Sequence, residues 1–573
     1  MKILPIGYLR SWRATVLPAT LLASAAAFAA PSPEAASPAS DSPYGAYLAG
    51  RHAQEQREYA AAAGWFEDAL RADPKSPELI SRTFLMEAYK GRFDRAVALA
   101  HSELALDPSD AVANLVLLVD RVAAGDTTGA LARAEALPSD GLYRYAGPPA
   151  LAWVRIAMGD LAGADRALQG LDKFDGLAPL EFFQLGLVYD FAGHPEKAEE
   201  NFKKALDATG KLNWRLTDAM ANFYARHGRP DKAQAIYRRF IKENAGSELA
   251  ESALGAASEE TPAPIIGSAR DGLAEALFDL ASVANRPETI DVALIYDRCA
   301  LELRPQFPVA QLLLADIMSA EDKPHESLAV LAQIPPGSRY WWSAQLRVAA
   351  NLQALDRGDE AIQMLKKMAA EEPKRAAADM QLGDLLREKK RFAEAAAAYD
   401  EAIKRLKAAG TPERWSLYYS RGIALERAGK WQLAEADLQH ALELEPDQPL
   451  VLNYLGYSWI DRGEKLKRGL KMIEKAVELR PEDGYIVDSL GWAQYKLGNY
   501  PAAVQYLEKA LELVPEDPTI NDHLGDAYWQ SGRPSEARYQ WRRALQFGPD
   551  KSDIKPIEAK LDGEKTPRRA GGG

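Results

Sequence analysis

Side chains capable of acid–base, nucleophilic or metal chemistry are present in this chain but are not arranged for it. Seven histidines are scattered through 573 residues. None stands in an H-E-x-x-H pattern, which would put two imidazoles on one helix face for zinc. There is no G-x-S-x-G elbow, no P-loop and no G-x-G-x-x-G turn. Neighbouring carboxylates such as Glu199-Glu200 and Glu371-Glu372 read as solvated helix faces. The single cysteine, Cys299, rules out an intramolecular disulfide and a multi-cysteine zinc site. Within Tyr296-Asp297-Arg298-Cys299-Ala300-Leu301 it follows a helical pattern and reads as a small packing residue. The sequence therefore predicts no catalytic residues, no metal site, no cofactor and no enzymatic activity.

The elements that would carry binding are clearer. A chain of this length exceeds what one compact core usually holds, so several domains or a repeat array are required. Hydrophobic residues make up 47% and charged residues 27%, ordinary for a folded soluble chain, and the net charge is −12. That balance argues against nucleic acid as the partner. Ala62, Ala96, Ala130, Ala164 and Ala198 fall 34 residues apart, as do Pro74 and Pro108, and Pro481, Pro515 and Pro549. Gly422 and Gly456, Gly491 and Gly525, and Ala503 and Ala537 share the spacing. A small residue in mid-helix lets a partner helix approach. Large residues such as Phe66, Phe202, Tyr237, Tyr399 and Trp541 fill the space between them, and proline ends the pair. Each unit is then a helical hairpin that buries its apolar face only by stacking on its neighbours.

The stretch Leu524-Gly525, Tyr528, Gly532, Ala537, Trp541, Ala544, Pro549 resembles a tetratricopeptide repeat, and so does Leu185-Gly186, Tyr189, Gly193, Ala198, Phe202, Ala205. About thirteen or fourteen such units fit between Pro43 and Lys551. The resemblance implies an all-α, right-handed α-solenoid of stacked tetratricopeptide helical hairpins whose first helices line a concave protein-binding groove. Carried over position by position, it marks Asn453, Tyr457 and Ile460, then Asp488, Trp492 and Tyr495, then Asp522, His523, Asp526 and Trp529 as groove residues. Tyr457 and Trp492 share one place in successive repeats, and Tyr495 and Trp529 share another one turn on. Exposed there, the aromatics would anchor a partner, and the acidic neighbours would favour a basic partner face. Trp459 and Tyr528, one position off, read as core. Tyr340-Trp341-Trp342 is a second, weaker candidate surface.

Beyond Leu452-Asn453-Tyr454-Leu455-Gly456-Tyr457-Ser458, the segments Ile486 to Tyr495, His523-Leu524-Gly525 and Trp541-Arg542-Arg543-Ala544-Leu545 carry a narrower resemblance. They are similar to the C-terminal region of envelope tetratricopeptide lipoproteins that act as adaptors of a carboxyl-terminal processing protease. That resemblance implies a non-enzymatic periplasmic scaffold delivering cell-wall hydrolases or other envelope proteins to a protease. The alternative is an assembly or secretion scaffold for an outer-membrane or exopolysaccharide machine. The family's lipoproteins need a lipidated cysteine, and none follows the apolar run here.

Lys2, Arg10 and Arg13 precede an apolar run that ends in Ala27-Phe28-Ala29, the pattern of a cleaved signal peptide. The expected organisation is therefore a signal peptide at 1–29, a disordered Ala/Pro/Ser linker at 30–42, and a first repeat array at 43–246. A linker at 247–271 follows, centred on Thr261-Pro262-Ala263-Pro264, then a second array at 272–551. A polar capping helix at 552–562 and a disordered tail at 563–573 complete it. No later segment is long and apolar enough to span a membrane.

Overall fold

The computed structural model describes residues 42–244, 247–256 and 261–563. The expected signal peptide, nearly all of the 30–42 segment and the tail beyond Gly563 lie outside the described residues. Among the described residues there are thirty α-helices, one short 3-10 helix and no strand.

The hairpin Pro518–Gln530 and Pro534–Gln546 shows how the sequence builds each unit. The Asp517 side chain accepts hydrogen bonds from the Thr519 and Ile520 amides, and Pro518 occupies the first turn, where it lacks no needed donor. The helix stops near Gly532, whose φ of 79° is the left-handed region. The same turn position recurs at Gly91, Gly125, Gly159 and Gly193, and at Gly498. At Asp322, Asp356 and Lys390 a residue with a Cβ is held there instead, at φ near 60°.

The predicted small-against-large packing is present. A Cβ on Gly186 would lie 2.5 Å from the Phe202 ring, and one on Gly525 would lie 2.5 Å from Trp541. Between Pro449–Asp461 and Leu466–Leu479 the small residues meet backbone rather than a ring, because a Cβ on Gly456 would lie 2.8 Å from the Gly469 carbonyl and the reverse is equally true. The five alanines spaced by 34 are all buried, as is Cys299.

The described residues form two compact units, one up to Gln381 with Ala409–Pro412, the other Leu382–Ala408 with the residues from Glu413 onward. In the first unit one continuous core runs from Ala53 to Ala344. Helix Ala269–Ala284 packs on Gly147–Ala157 and Ala178–Phe191, and Ile290–Leu303 packs on Pro77–Lys90 and Ala111–Ala123, so the chain doubles back on itself. A buried polar network fastens the closure. The Arg215 guanidinium donates to both oxygens of Glu275 at 2.7 and 2.6 Å and to Asp218 at 3.1 Å. Arg339 donates to the same Asp218 at 2.8 and 2.5 Å. Gln184 donates to Asp279 at 2.7 Å and accepts from the Trp153 indole at 2.8 Å.

The segment 247–271 differs from the expected linker. Glu248–Ala256 is helical, the Ala263 carbonyl accepts from the Asn222 amide, and Ile266 is buried. The division between compact units falls instead inside helix Ala377–Glu388. The reason lies in Ala269–Ala284, which is buried on nearly every side and needs the earlier hairpins as partners. Between residues 111 and 175 the units are short, with helices Thr127–Glu135 and Leu161–Leu168 and the 3-10 turn Gln169–Lys173.

Apart from an exposed ion pair between Lys390 and Asp550 at 3.9 Å, the second unit is built from neighbour upon neighbour. From Leu452 to Ile557 its apolar core is divided into small clusters, each shared by adjacent hairpins. Helix Lys551–Asp562 closes the stack, with Ile557 in the same cluster as Leu524, Ala527 and Trp541.

Candidate protein-binding surface

Three successive first helices, Pro449–Asp461, Gly484–Lys496 and Pro518–Gln530, carry the candidate groove residues. Their starts are set by the side chains of Gln448, Asp483 and Asp517, each accepting a hydrogen bond from a first-turn amide. The close Gly456–Gly469 approach fixes the first helix against its partner, and Gly491 against Leu507 fixes the second.

The structure divides the candidates. Asn453, Tyr457, Ile460 and Asp488 are buried, which corrects their reading as groove-facing. Tyr457 and Ile460 pack with Ile473, Leu490 and Ala493, because the next first helix lies directly over them. Burial also drives the Tyr457 hydroxyl pKa upward. The Asn453 side-chain oxygen is buried with no hydrogen-bond partner.

Trp492, Tyr495, Asp522, His523, Asp526 and Trp529 are half-buried and reach the surface. Trp492 lies inside a stack. The Tyr495 ring is 4.7 Å away at 11° and the His523 ring 4.0 Å away at 15°. Beneath them Asp488, fully buried, receives the His523 Nδ1 at 3.0 Å. Burial opposes the imidazolium, but the charge and hydrogen bond of Asp488, helped by Asp522 and Asp526, outweigh it and hold the pKa above the ordinary histidine value. Trp529 packs 5.6 Å from Trp541, and its indole N–H is buried without a partner.

The acidic neighbours are neutralised from within. Lys496 reaches Asp461 at 3.2 Å, His523 reaches Asp488, and Lys560 bonds Asp522 and Asp526 at 2.8 Å each. Each helix thus lays a cation on the acid of the helix before it. Lys560 is held above the ordinary lysine value, because the two aspartates outweigh its burial. The expectation of a strongly acidic face is corrected accordingly. The surface presents aromatic edges among paired charges. Lys496 and Lys560 were missed by sequence reasoning, although Lys560 stands 34 residues after Asp526 and so occupies the repeat position of Trp492 and Asp526.

Trp459 and Tyr528 are core as expected, and each donates its polar hydrogen to a glutamate of a neighbouring helix, Glu435 and Glu508. In the second candidate surface Tyr340 and Trp342 are buried and Trp341 is partly exposed, so that patch is mostly core. No group of three or more histidine, cysteine or carboxylate side chains among the described residues could hold a metal. No helix among them is long and apolar enough to cross a membrane.

Family models described as tetratricopeptide repeat match residues 349–412, 419–484 and 489–552, and a further one matches 182–211. Among curated proteins, the TPR repeat-containing protein PA4667 of Pseudomonas aeruginosa is 34% identical over 179 residues, 30% of this chain and 29% of that protein. The Lipoprotein NlpI homolog of Haemophilus influenzae is 34% identical over 93 residues, 16% of this chain and 29% of that one. The chain thus spans less than a third of the length of these relatives. Among solved structures, Cut9 with Hcn1 of the APC/C aligns over 91% of this chain and 96% of its own, at 18% identity and a TM-score of 0.39. Yeast Tom70 aligns over 90% and 95%, at 15% identity and a TM-score of 0.34. The chain carries tetratricopeptide repeats, stacked as an all-α solenoid of helical hairpins.

Proposed function

We propose that the chain is a non-enzymatic protein-binding scaffold of the periplasm, exported by its first residues, whose last three hairpins dock an envelope protein. Tetratricopeptide proteins in general mediate protein–protein interactions. The observation that carries the reading is the Tyr495–Trp492–His523 stack. It is a rigid aromatic edge left half-exposed, whereas Tyr457, the equivalent of Trp492 in the preceding repeat, is buried. Stacking has already fixed these side chains, so a partner docks on them with little further loss of entropy. The narrower resemblance of Leu452 to Leu545 supports a processing protease and its cell-wall hydrolase substrates as the partners. The basic and apolar pattern of residues 2–29 supports export.

The test is affinity capture from an envelope extract with the full chain and with Trp492→Ala, checked for unchanged melting and read by quantitative mass spectrometry. A processing protease or wall hydrolases, recovered by the full chain and reduced at least about fivefold by the variant, is the expected result. Undiminished recovery with Trp492→Ala would remove the stack from the interface. Secretion or polysaccharide-assembly components in place of the protease would favour the assembly scaffold. Fractionation of cells producing the chain tests the compartment.

A further inference from the structure

The first compact unit contains a cavity of about 650 Å³, within the range that ligand sites occupy. Its walls are mainly apolar, with Leu180, Phe183, Leu216, Phe278, Val309 and Leu312 the principal side chains. It runs beside helix Ala269–Ala284 from Phe278 to Arg286 just past its end, roughly 12 Å at 1.5 Å per residue, the span of three or four extended residues.

One charged group in this lining stands out. Arg215 is neutralised by Glu275 and Asp218, and Asp218 by Arg339 as well. At the rim Arg347 pairs with Asp316 at 2.7 Å. Asp279 is 8% exposed, lines the cavity, and has as its hydrogen-bond partner only the neutral amide of Gln184. It is therefore a surplus acid at the base of an apolar cleft, with Arg286 at the exposed end.

We propose that this cavity is a second docking site, separate from the C-terminal surface and independent of its role, that takes a short extended segment of a partner protein with aliphatic side chains and one lysine or arginine reaching Asp279. The aliphatic side chains remove the walls from water, and the cation supplies the charge that Arg215, shared with Glu275 and Asp218, supplies only in part. Burial, followed by the Glu275 charge, pushes the Asp279 carboxyl well above the usual carboxylate range, and the Arg215 charge and the Gln184 hydrogen bond offset this only in part. A segment of opposite polarity would have to place its carboxylate against that surplus acid.

The experiment uses the full chain and three fluorescent eight-residue peptides, of alternating leucine and lysine, leucine and glutamate, and serine and lysine, read by anisotropy. The leucine–lysine peptide binds best. Asp279→Asn, which keeps the shape and the Gln184 contact, weakens it roughly tenfold while leaving the serine–lysine peptide unaffected. Val283→Lys, at a half-exposed position of the lining, weakens it similarly without disturbing the fold. Trp492→Ala leaves it unchanged, which separates this site from the C-terminal one. Equal or tighter binding of the leucine–glutamate peptide would show that Arg286 rather than Asp279 selects the ligand. Equal binding of the serine–lysine peptide would reduce the effect to surface charge. Wild-type affinity in both Asp279→Asn and Val283→Lys would place the peptide elsewhere. Each of these three outcomes overturns the proposal, as does failure of the leucine–lysine peptide to bind.

Discussion

The two compact units are made of the same helical hairpins but are held together in different ways. In the first, hydrogen bonds join residues far apart in sequence, 264 residues between Arg57 and Glu321, 121 between Arg339 and Asp218, and 95 between Gln184 and Asp279. In the second, the side-chain ties along the groove join one helix to the next, at separations of 34 to 38 residues. A stack joined only to its neighbours has a stability close to the sum of its units and interfaces, and can open from an end. A stack closed on itself must come apart together. The same hairpin therefore produces a cooperative body or an extensible array, depending on whether long-range polar contacts close it.

The strongest way to break that contrast is Arg215→Ala. It leaves Glu275 buried without its cation and takes one of two arginines from Asp218, and should cost about 3–5 kcal/mol. Urea unfolding should show two transitions, with only that of the first unit displaced. A single transition moving as a whole would show that the units unfold as one. Next is Gly456→Ala, where the new methyl meets the Gly469 carbonyl at 2.8 Å, a backbone atom, and the buried Ile473 side chain at 2.9 Å. We expect a loss of about 2 kcal/mol, confined in hydrogen exchange to Pro449–Leu479 and the adjacent hairpins, with the first unit unchanged.

A smaller effect, on the order of 1 kcal/mol, attaches to His523. Its pKa is raised on folding, so its contribution is fully present below the unfolded value and is lost as pH rises through the folded one. The second unit should weaken with rising pH in that window, and His523→Gln should flatten the slope there. A slope that survives His523→Gln would place the titration elsewhere. The smallest change is a gain. Lys390 holds φ at 60° in a hairpin turn where glycine is free of strain, and its contact with Asp550 is exposed. Lys390→Gly should raise the second unit's stability by about 0.5–1 kcal/mol in the same urea titration.

The helices and their pairing were legible in the sequence because they depend on local rules. Glycine at 525 opposite tryptophan at 541, or alanine every 34 residues, has one physical reading. Groove exposure was less legible. Tyr457 and Trp492 share a repeat position, yet one is sealed beneath Leu490 and Ala493 and the other reaches the surface. How closely one first helix covers the last is decided by the side chains of both, and a repeat position specifies only which way a residue points. The closure of the first unit was not legible, because Arg215 and Arg339 look like ordinary surface charges until their partners are brought to them. A trace existed in Glu275 and Asp279, two acids one turn apart in the otherwise apolar stretch Leu273–Ala281. The Cα-to-Cα path from Asp218 to Arg339 passes through more than a hundred residues, and no local pattern spans it.

The last helix has a consequence for how such a chain can change its length. Lys551–Asp562 sets Lys560 on Asp522 and Asp526, much as the preceding helices set His523 on Asp488 and Lys496 on Asp461. It imitates the start of one more repeat and then stops. Duplication of a hairpin upstream of Pro549 would supply a new acid for each new cation and leave the same closing helix in place. The array can therefore lengthen from its interior.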